Sequence, residues 1–63
     1  MKTELVNGFS VDTWWDQQAR VWITQILDEN EFQQGEALFS GNRTSAKFDH
    51  QLAIATALEL EAE

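Results

Sequence analysis

The chain has no cysteine, no proline and no tyrosine, and only one histidine among its 63 residues. Without cysteine no disulfide can form, and a single histidine offers too few ligands for a structural zinc site. A domain of this length buries only roughly 60% of the surface that its unfolded chain exposes, so small domains often depend on a disulfide, a metal or a partner. We therefore expect no metal and no cofactor, and we expect a homodimer.

Basic residues are scarce as well: four lysines and arginines stand against eleven aspartates and glutamates, for a formal net charge of −7. Such a surface repels phosphate backbones and anionic lipids, which argues against direct binding to nucleic acid or membranes. No apolar run approaches the ~18–20 residues that cross a bilayer, and no secretory leader is recognisable. We expect a cytoplasmic protein, with which the lack of cysteine agrees.

Residues 11–28 are predicted to form a long first helix. Ser10 is a suitable N-cap, and Asp12 falls in the first turn, where the helix dipole favours an acid. On a helical wheel the apolar side chains of this stretch spread over roughly 240°, well beyond the ~100° stripe of an ordinary surface helix. This breadth indicates that more than one neighbour covers the helix.

The ten residues ahead of this helix are interpreted as an extended arm. Asn7-Gly8 could instead form the type I′ turn of a short hairpin, with Leu5 and Val6 on one side and Phe9 on the other. Two strands of that length would be marginal on their own. We therefore prefer the arm for residues 1–10.

The rest of the chain completes an all-α prediction. Residues 31–40 read as a short helix because Asn30 can cap its start and Gly41 its end, although a strand is the competing interpretation. Residues 45–61 read as the second long helix. We predict one small all-α domain that contains two longer helices, one short helix and the N-terminal arm.

Three tryptophans fall within the first predicted helix, and they occupy two sectors of its wheel. Trp15 and Trp22 share one sector, whereas Trp14 lies roughly 80° away. Either all three indoles belong to the core, or the second sector is left for another chain. We predict a protein interface along that edge, formed by Trp14, Gln18, Val21 and Gln25. The predicted core contains the large apolar residues Trp15, Trp22, Ile26, Phe32, Phe39, Phe48, Leu52 and Leu58.

No arrangement of residues in the sequence indicates catalysis. There is no cysteine nucleophile and no G-x-S-x-G turn, and the i±4 helical neighbours of His50 are Ala46 and Ile54, which cannot orient an imidazole. We expect His50 on the solvated surface and Asp12 and Asp16 on a solvated polar face. The prediction is a protein that is not an enzyme.

The stretches VNGFS at 6–10 and TWWDQQ at 13–18, together with the overall length, resemble the short acidic accessory proteins of lambda-like phages that are encoded between the exonuclease and excisionase genes. The resemblance covers about the first half of the chain and carries no site motif. It implies a non-essential early protein in the cytoplasm of a bacterial host, which alters phage development by contacting host or phage regulators.

These observations together predict a non-enzymatic protein-interaction modulator that affects phage development or host regulation. One alternative is an acidic mimic of nucleic acid that inhibits a host DNA-binding protein, which requires carboxylates arrayed across one face. A second alternative is an antitoxin-like subunit that folds only together with its partner.

Overall fold

The computed structural model describes residues 1–60, and they form a four-stranded antiparallel sheet with one helix packed on it. The elements follow the order β1 (Lys2–Glu4), β2 (Ser10–Asp16), β3 (Val21–Leu27), β4 (Leu38–Ser40) and α1 (Arg43–Leu58). Each strand pairs with the next strand along the chain, so the sheet is a simple meander. The all-α prediction is wrong: the domain combines a sheet and a helix and holds more strand than helix.

The segment 11–28, predicted as a helix, is a hairpin of β2 and β3. Four of the seven residues in β2 and five of the seven in β3 are β-branched or aromatic, the types that favour strands. The Asp16 carboxylate closes the turn, accepting hydrogen bonds from the backbone N–H groups of Gln18 and Ala19 at 3.0 and 3.1 Å. Arg20 then adopts a left-handed conformation with φ of 56°, which brings the chain into β3.

The predicted extended arm is also wrong, because β1 pairs with β2 and forms the first edge of the sheet. The connection turns through Gly8, whose φ of 90° is readily accessible only to glycine. Asn7 fixes this turn to the helix by donating from its side-chain amide to the Ala57 carbonyl at 2.9 Å. The alternative of a hairpin that turns at Asn7-Gly8 agrees better with the structure than the arm does. Its two strands, however, lie at Lys2–Glu4 and Ser10–Asp16 and not directly beside the turn.

The short helix predicted at 31–40 is replaced by a loop and by the edge strand β4. The Asp28 carboxylate starts the loop, accepting hydrogen bonds from the backbone of Asn30 and Phe32 at 2.8 and 2.9 Å. Gly35 has a φ of 73°, outside the helical range. The competing strand interpretation is correct only for the last three residues of the segment.

The second long helix exists, but it spans Arg43–Leu58 and not 45–61. Its cap is Asn42, whose side-chain oxygen accepts a hydrogen bond from the Ser45 N–H at 2.8 Å. Residue 61 lies outside the described residues. The face of α1 that packs on the sheet is formed by Ala46, His50, Ala53 and Ala57.

The core consists of small and medium side chains. Val11 has no exposed surface and packs with Phe9, Ala53 and Ala57. Three partly buried aliphatic residues complete this cluster: Leu5, Ile26 and Ile54. Ile26 is the one member of the predicted core that contacts it.

Most of the predicted core is wrong, because the helical wheel on which it was based does not apply to the strands. Six of the eight residues are exposed, namely Trp15, Phe32, Phe39, Phe48, Leu52 and Leu58. Trp22 is half-buried, and its indole packs edge-on against that of Trp15, with ring centroids 5.7 Å apart. The large apolar side chains therefore lie mainly outside the core.

Candidate protein-binding face of the sheet

Helix α1 covers one face of the sheet and leaves the other face open. Thr13 and Thr24 point towards α1, because the Thr13 hydroxyl contacts both the Thr24 hydroxyl and the His50 ring. Side chains alternate between the two faces of a strand. Trp14 follows Thr13 and Ile23 precedes Thr24, so both side chains face the opposite side of the sheet.

An aromatic and aliphatic row crosses this open face. Trp14 in β2 is opposite Ile23 in β3, and Ile23 is opposite Phe39 in β4. Directly opposed side chains in a sheet lie about 5 Å apart, so the three form one continuous apolar strip. Trp14 and Ile23 are half-buried, and Phe39 is 64% exposed. We call Trp14, Ile23 and Phe39 the apolar row.

A groove of about 530 Å³ lies beside the apolar row, between β3 and the loop that leads into β4. Its lining combines apolar, amide and acidic side chains with exposed backbone at a glycine: Ile23, Gln25, Gln33, Gly35, Glu36, Ala37 and Phe39. Gln34 holds the loop against the sheet by donating its backbone N–H to the Ile26 carbonyl at 2.7 Å. The groove is large enough to receive one or two side chains of another protein.

Acidic side chains surround the apolar row. Strand alternation places Asp12 and Asp16 on the open face, on either side of Trp14, and Glu36 lines the groove. Lys2 is a basic residue on this face and is opposite Asp12 in the sheet. Its Nζ lies 3.8 Å from a carboxylate oxygen of Glu31. The open face therefore presents an apolar centre with a predominantly negative margin.

Three of the four residues predicted for the interface lie together on this open face. Trp14 belongs to the apolar row, Val21 is opposite Asp16, and Gln25 lines the groove. Gln18 lies apart from them, exposed in the turn between β2 and β3. Sequence reasoning missed the other members of the surface, Ile23 and Phe39, for which strand alternation would have been the signal.

The second polar feature is a buried hydrogen-bonded cluster between sheet and helix. His50 is 4% exposed, so the prediction of a solvated histidine is wrong. Its Nδ1 lies 2.7 Å from the Thr13 hydroxyl, and its Nε2 lies 2.9 Å from the Thr3 hydroxyl. The Thr24 hydroxyl, 2.9 Å from that of Thr13, completes the cluster. The ring thus joins α1 directly to β1 and β2, and through the Thr13 hydroxyl to β3.

The environment of His50 favours its neutral form. Burial lowers the pKa of the imidazole from its ordinary value of 6.5, and the N-terminal ammonium group lowers it further, while the Asp12 carboxylate acts in the opposite direction. A neutral ring can donate from one nitrogen and accept at the other, and hydroxyl groups serve either role. The cluster is thereby satisfied without a buried charge.

This pKa depression predicts that the folded state loses stability as the pH falls below about 6.5. In that range the unfolded chain binds a proton on His50 more readily than the folded chain, so the free energy of unfolding decreases as the pH falls. We expect a lower melting temperature at about pH 5.5 than at about pH 7.5, measured by circular dichroism. A His50→Gln variant should lose this dependence, and an unchanged slope in that variant would assign the effect to other groups.

Among residues 1–60, no three histidine, cysteine or acidic side chains are grouped so that they could hold a metal ion. No helix in the same range is long and apolar enough to cross a bilayer. Comparisons with protein-family models, with curated proteins and with solved structures find no match to this chain.

Proposed function

We propose that this chain is a non-enzymatic protein-interaction modulator that binds a partner protein through the open face of its sheet. The observation that carries the proposal is the apolar row, which α1 cannot cover because it packs on the other face. Contiguous exposed apolar surface with a polar margin is typical of protein interfaces. Tryptophan, at the inner end of this row, is among the residues that contribute most to binding energy.

The charge of the open face favours a partner with a basic surface. A protein that inserts an apolar side chain into the groove and places lysine or arginine around it would meet the carboxylates of Asp12, Asp16 and Glu36. Charge complementarity of this kind accelerates association and excludes wrong partners. A second copy of this chain would instead bring like charges together on this face, so we assign the face to a different protein.

In this proposal the chain is a phage or prophage early protein that alters phage development or host regulation by occupying a basic and partly apolar surface of a bacterial regulator. A mimic of nucleic acid would depend mainly on its carboxylates. Here an apolar row separates Asp12 from Asp16, which favours a mixed apolar and electrostatic contact.

Phe39→Asp is expected to abolish capture of the partner. Phe39 is 64% exposed in a short edge strand, so the substitution adds a charge to the outer end of the apolar row without burying it in the core. Immobilised wild-type protein should retain at least one specific protein from a bacterial lysate, and Phe39→Asp should reduce its recovery at least ~10-fold. Quantitative mass spectrometry measures the recovery.

The matched control is Phe48→Asp, which places the same charge on an exposed phenylalanine of α1, away from the open face. We expect this variant to capture the same protein as the wild type. Equal recovery by both variants, or no specific capture, would contradict the proposal. Elution by salt alone would point to the mimic, because an apolar contact resists screening.

A further inference from the structure

Helix α1 carries a second apolar surface, on the side that faces away from the sheet. Phe48 and Leu52 are 73% and 60% exposed, and Ala55 is exposed beside them. Their spacing of four and then three residues places them in one line along the helix, opposite the buried line that contains His50 and Ala53. We call Phe48, Leu52 and Ala55 the outer stripe.

The charges of α1 run in the order that its own dipole disfavours. Arg43 and Lys47 occupy the first two turns, no acid lies in the first turn, and no base lies in the last. Glu59 caps the C-terminal end. A helix dipole favours acids at its start and bases at its end, so this distribution does not stabilise the isolated helix.

Helix α1 also has more basic than acidic residues, unlike the chain as a whole. Arg43–Leu58 holds two of the four bases of the protein and a single acid, Asp49, whereas the whole chain has a net charge of −7. The Asp49 carboxylate is engaged within the chain as the acceptor of a hydrogen bond from the Ser40 hydroxyl. A contact through α1 therefore avoids the repulsion that two copies would experience elsewhere on their surfaces.

We propose that α1 mediates a homodimer in which the outer stripes of two copies pack antiparallel to each other. A two-fold axis near Leu52 places Phe48 of one copy against the small Ala55 of the other. With a rise of about 1.5 Å per residue, Lys47 then lies within roughly 5 Å, along the helix axis, of Glu59 in the second copy. The antiparallel arrangement also opposes the two helix dipoles.

This dimer leaves the proposed binding face free. The outer stripe points away from the sheet, so the two open faces lie on the two outer sides of the pair. The contact between two helices of this length is small, and a small interface gives a weak and reversible dimer.

The test is sedimentation equilibrium over a range of roughly 5 to 500 μM, which covers weak association. We expect the wild-type chain and Phe39→Asp to dimerise within this range. Phe48→Asp should raise the dissociation constant at least ~30-fold, because it places a charge within the apolar contact and removes its largest side chain. Circular dichroism should show that both variants remain folded, as both substitutions lie at exposed positions.

A charge exchange tests the antiparallel orientation. Lys47→Glu and Glu59→Lys should each weaken the dimer at low salt, and the double variant should restore it, since only opposed helices pair position 47 with position 59. Failure of the double variant to restore the dimer would reject this orientation. A monomer at every concentration, or a dimer that Phe48→Asp leaves intact, would overturn the proposal without affecting the assignment of the open face.

Discussion

Val11→Asp is expected to abolish the fold. Val11 has no exposed surface, lies between Thr3 and Ile26 in the sheet, and packs on Phe9 and Ala53. A carboxylate there would be buried among hydrocarbon groups without a partner, at a cost of at least about 4 kcal/mol. The core of a domain this small rarely supplies more than ~3–5 kcal/mol of stability. The variant should therefore show no cooperative melting by circular dichroism at about 25 °C.

The matched control is Val6→Asp, because Val6 is fully exposed in the loop between β1 and β2. The same substitution there should leave the melting temperature within a few degrees of the wild type, since exposed positions tolerate charge. Cooperative melting of Val11→Asp near the wild-type temperature would mean that the core is misassigned. Loss of folding in both variants would point to the added charge itself as the cause.

The sensitivity expected at Val11 follows from how little the core contains. The helix meets the sheet through Ala46, Ala53 and Ala57, whose short side chains allow close approach and bury little area each. The larger apolar residues of α1, Phe48 and Leu52, face outward. Sequence reasoning that equates size with burial assigns these two sets the wrong way round.

The helix α1 could be predicted from the sequence because its signals are local. An alanine-rich stretch follows Asn42, and asparagine is a residue type that caps helices well. The predicted start of the helix was two residues too late. The strands could not be recognised in the same way. Their pairing partners are distant along the chain, and the turn into β3 uses Arg20 in a left-handed conformation without a glycine to mark it.

The breadth of apolar surface in the segment 11–28 was the observation that should have changed the prediction. Apolar residues over roughly 240° of a wheel fit a helix poorly, and they fit a hairpin whose two faces both carry apolar groups. The alternation was hidden because Thr13 and Thr24, polar in sequence, are the buried positions. Only the pairing of their hydroxyls with each other and with His50 makes that burial favourable.

Strand geometry also explains how three residues of the predicted interface came to share one face. Val21 and Gln25 are separated by an even number of positions in β3, so they point the same way. The register of the hairpin then places Trp14 opposite Ile23, between them. The helical reasoning that grouped these residues does not account for their position, and it separated them from Phe39, which was expected in the core.

His50→Ala is expected to destabilise the domain by about 2–4 kcal/mol. The substitution removes the two hydrogen bonds that His50 makes to the strands, to Thr3 and to Thr13, and leaves a void under the helix. Thr13 keeps its hydrogen bond to Thr24, so the loss of stability should be smaller than the loss caused by Val11→Asp. Urea denaturation at about pH 7.5, where the ring is neutral, measures the difference in free energy of unfolding.

Gln51→Ala provides the control, because Gln51 is the exposed neighbour of His50 on α1 and alanine favours a helix. Its free energy of unfolding should match that of the wild type within about 0.5 kcal/mol. His50→Gln, which retains polar atoms in the cluster, should fall between the wild type and His50→Ala. If His50→Ala matched Gln51→Ala at about pH 7.5, the cluster would contribute nothing to stability, and the acid sensitivity of the fold would rest only on the cost of charging the buried ring.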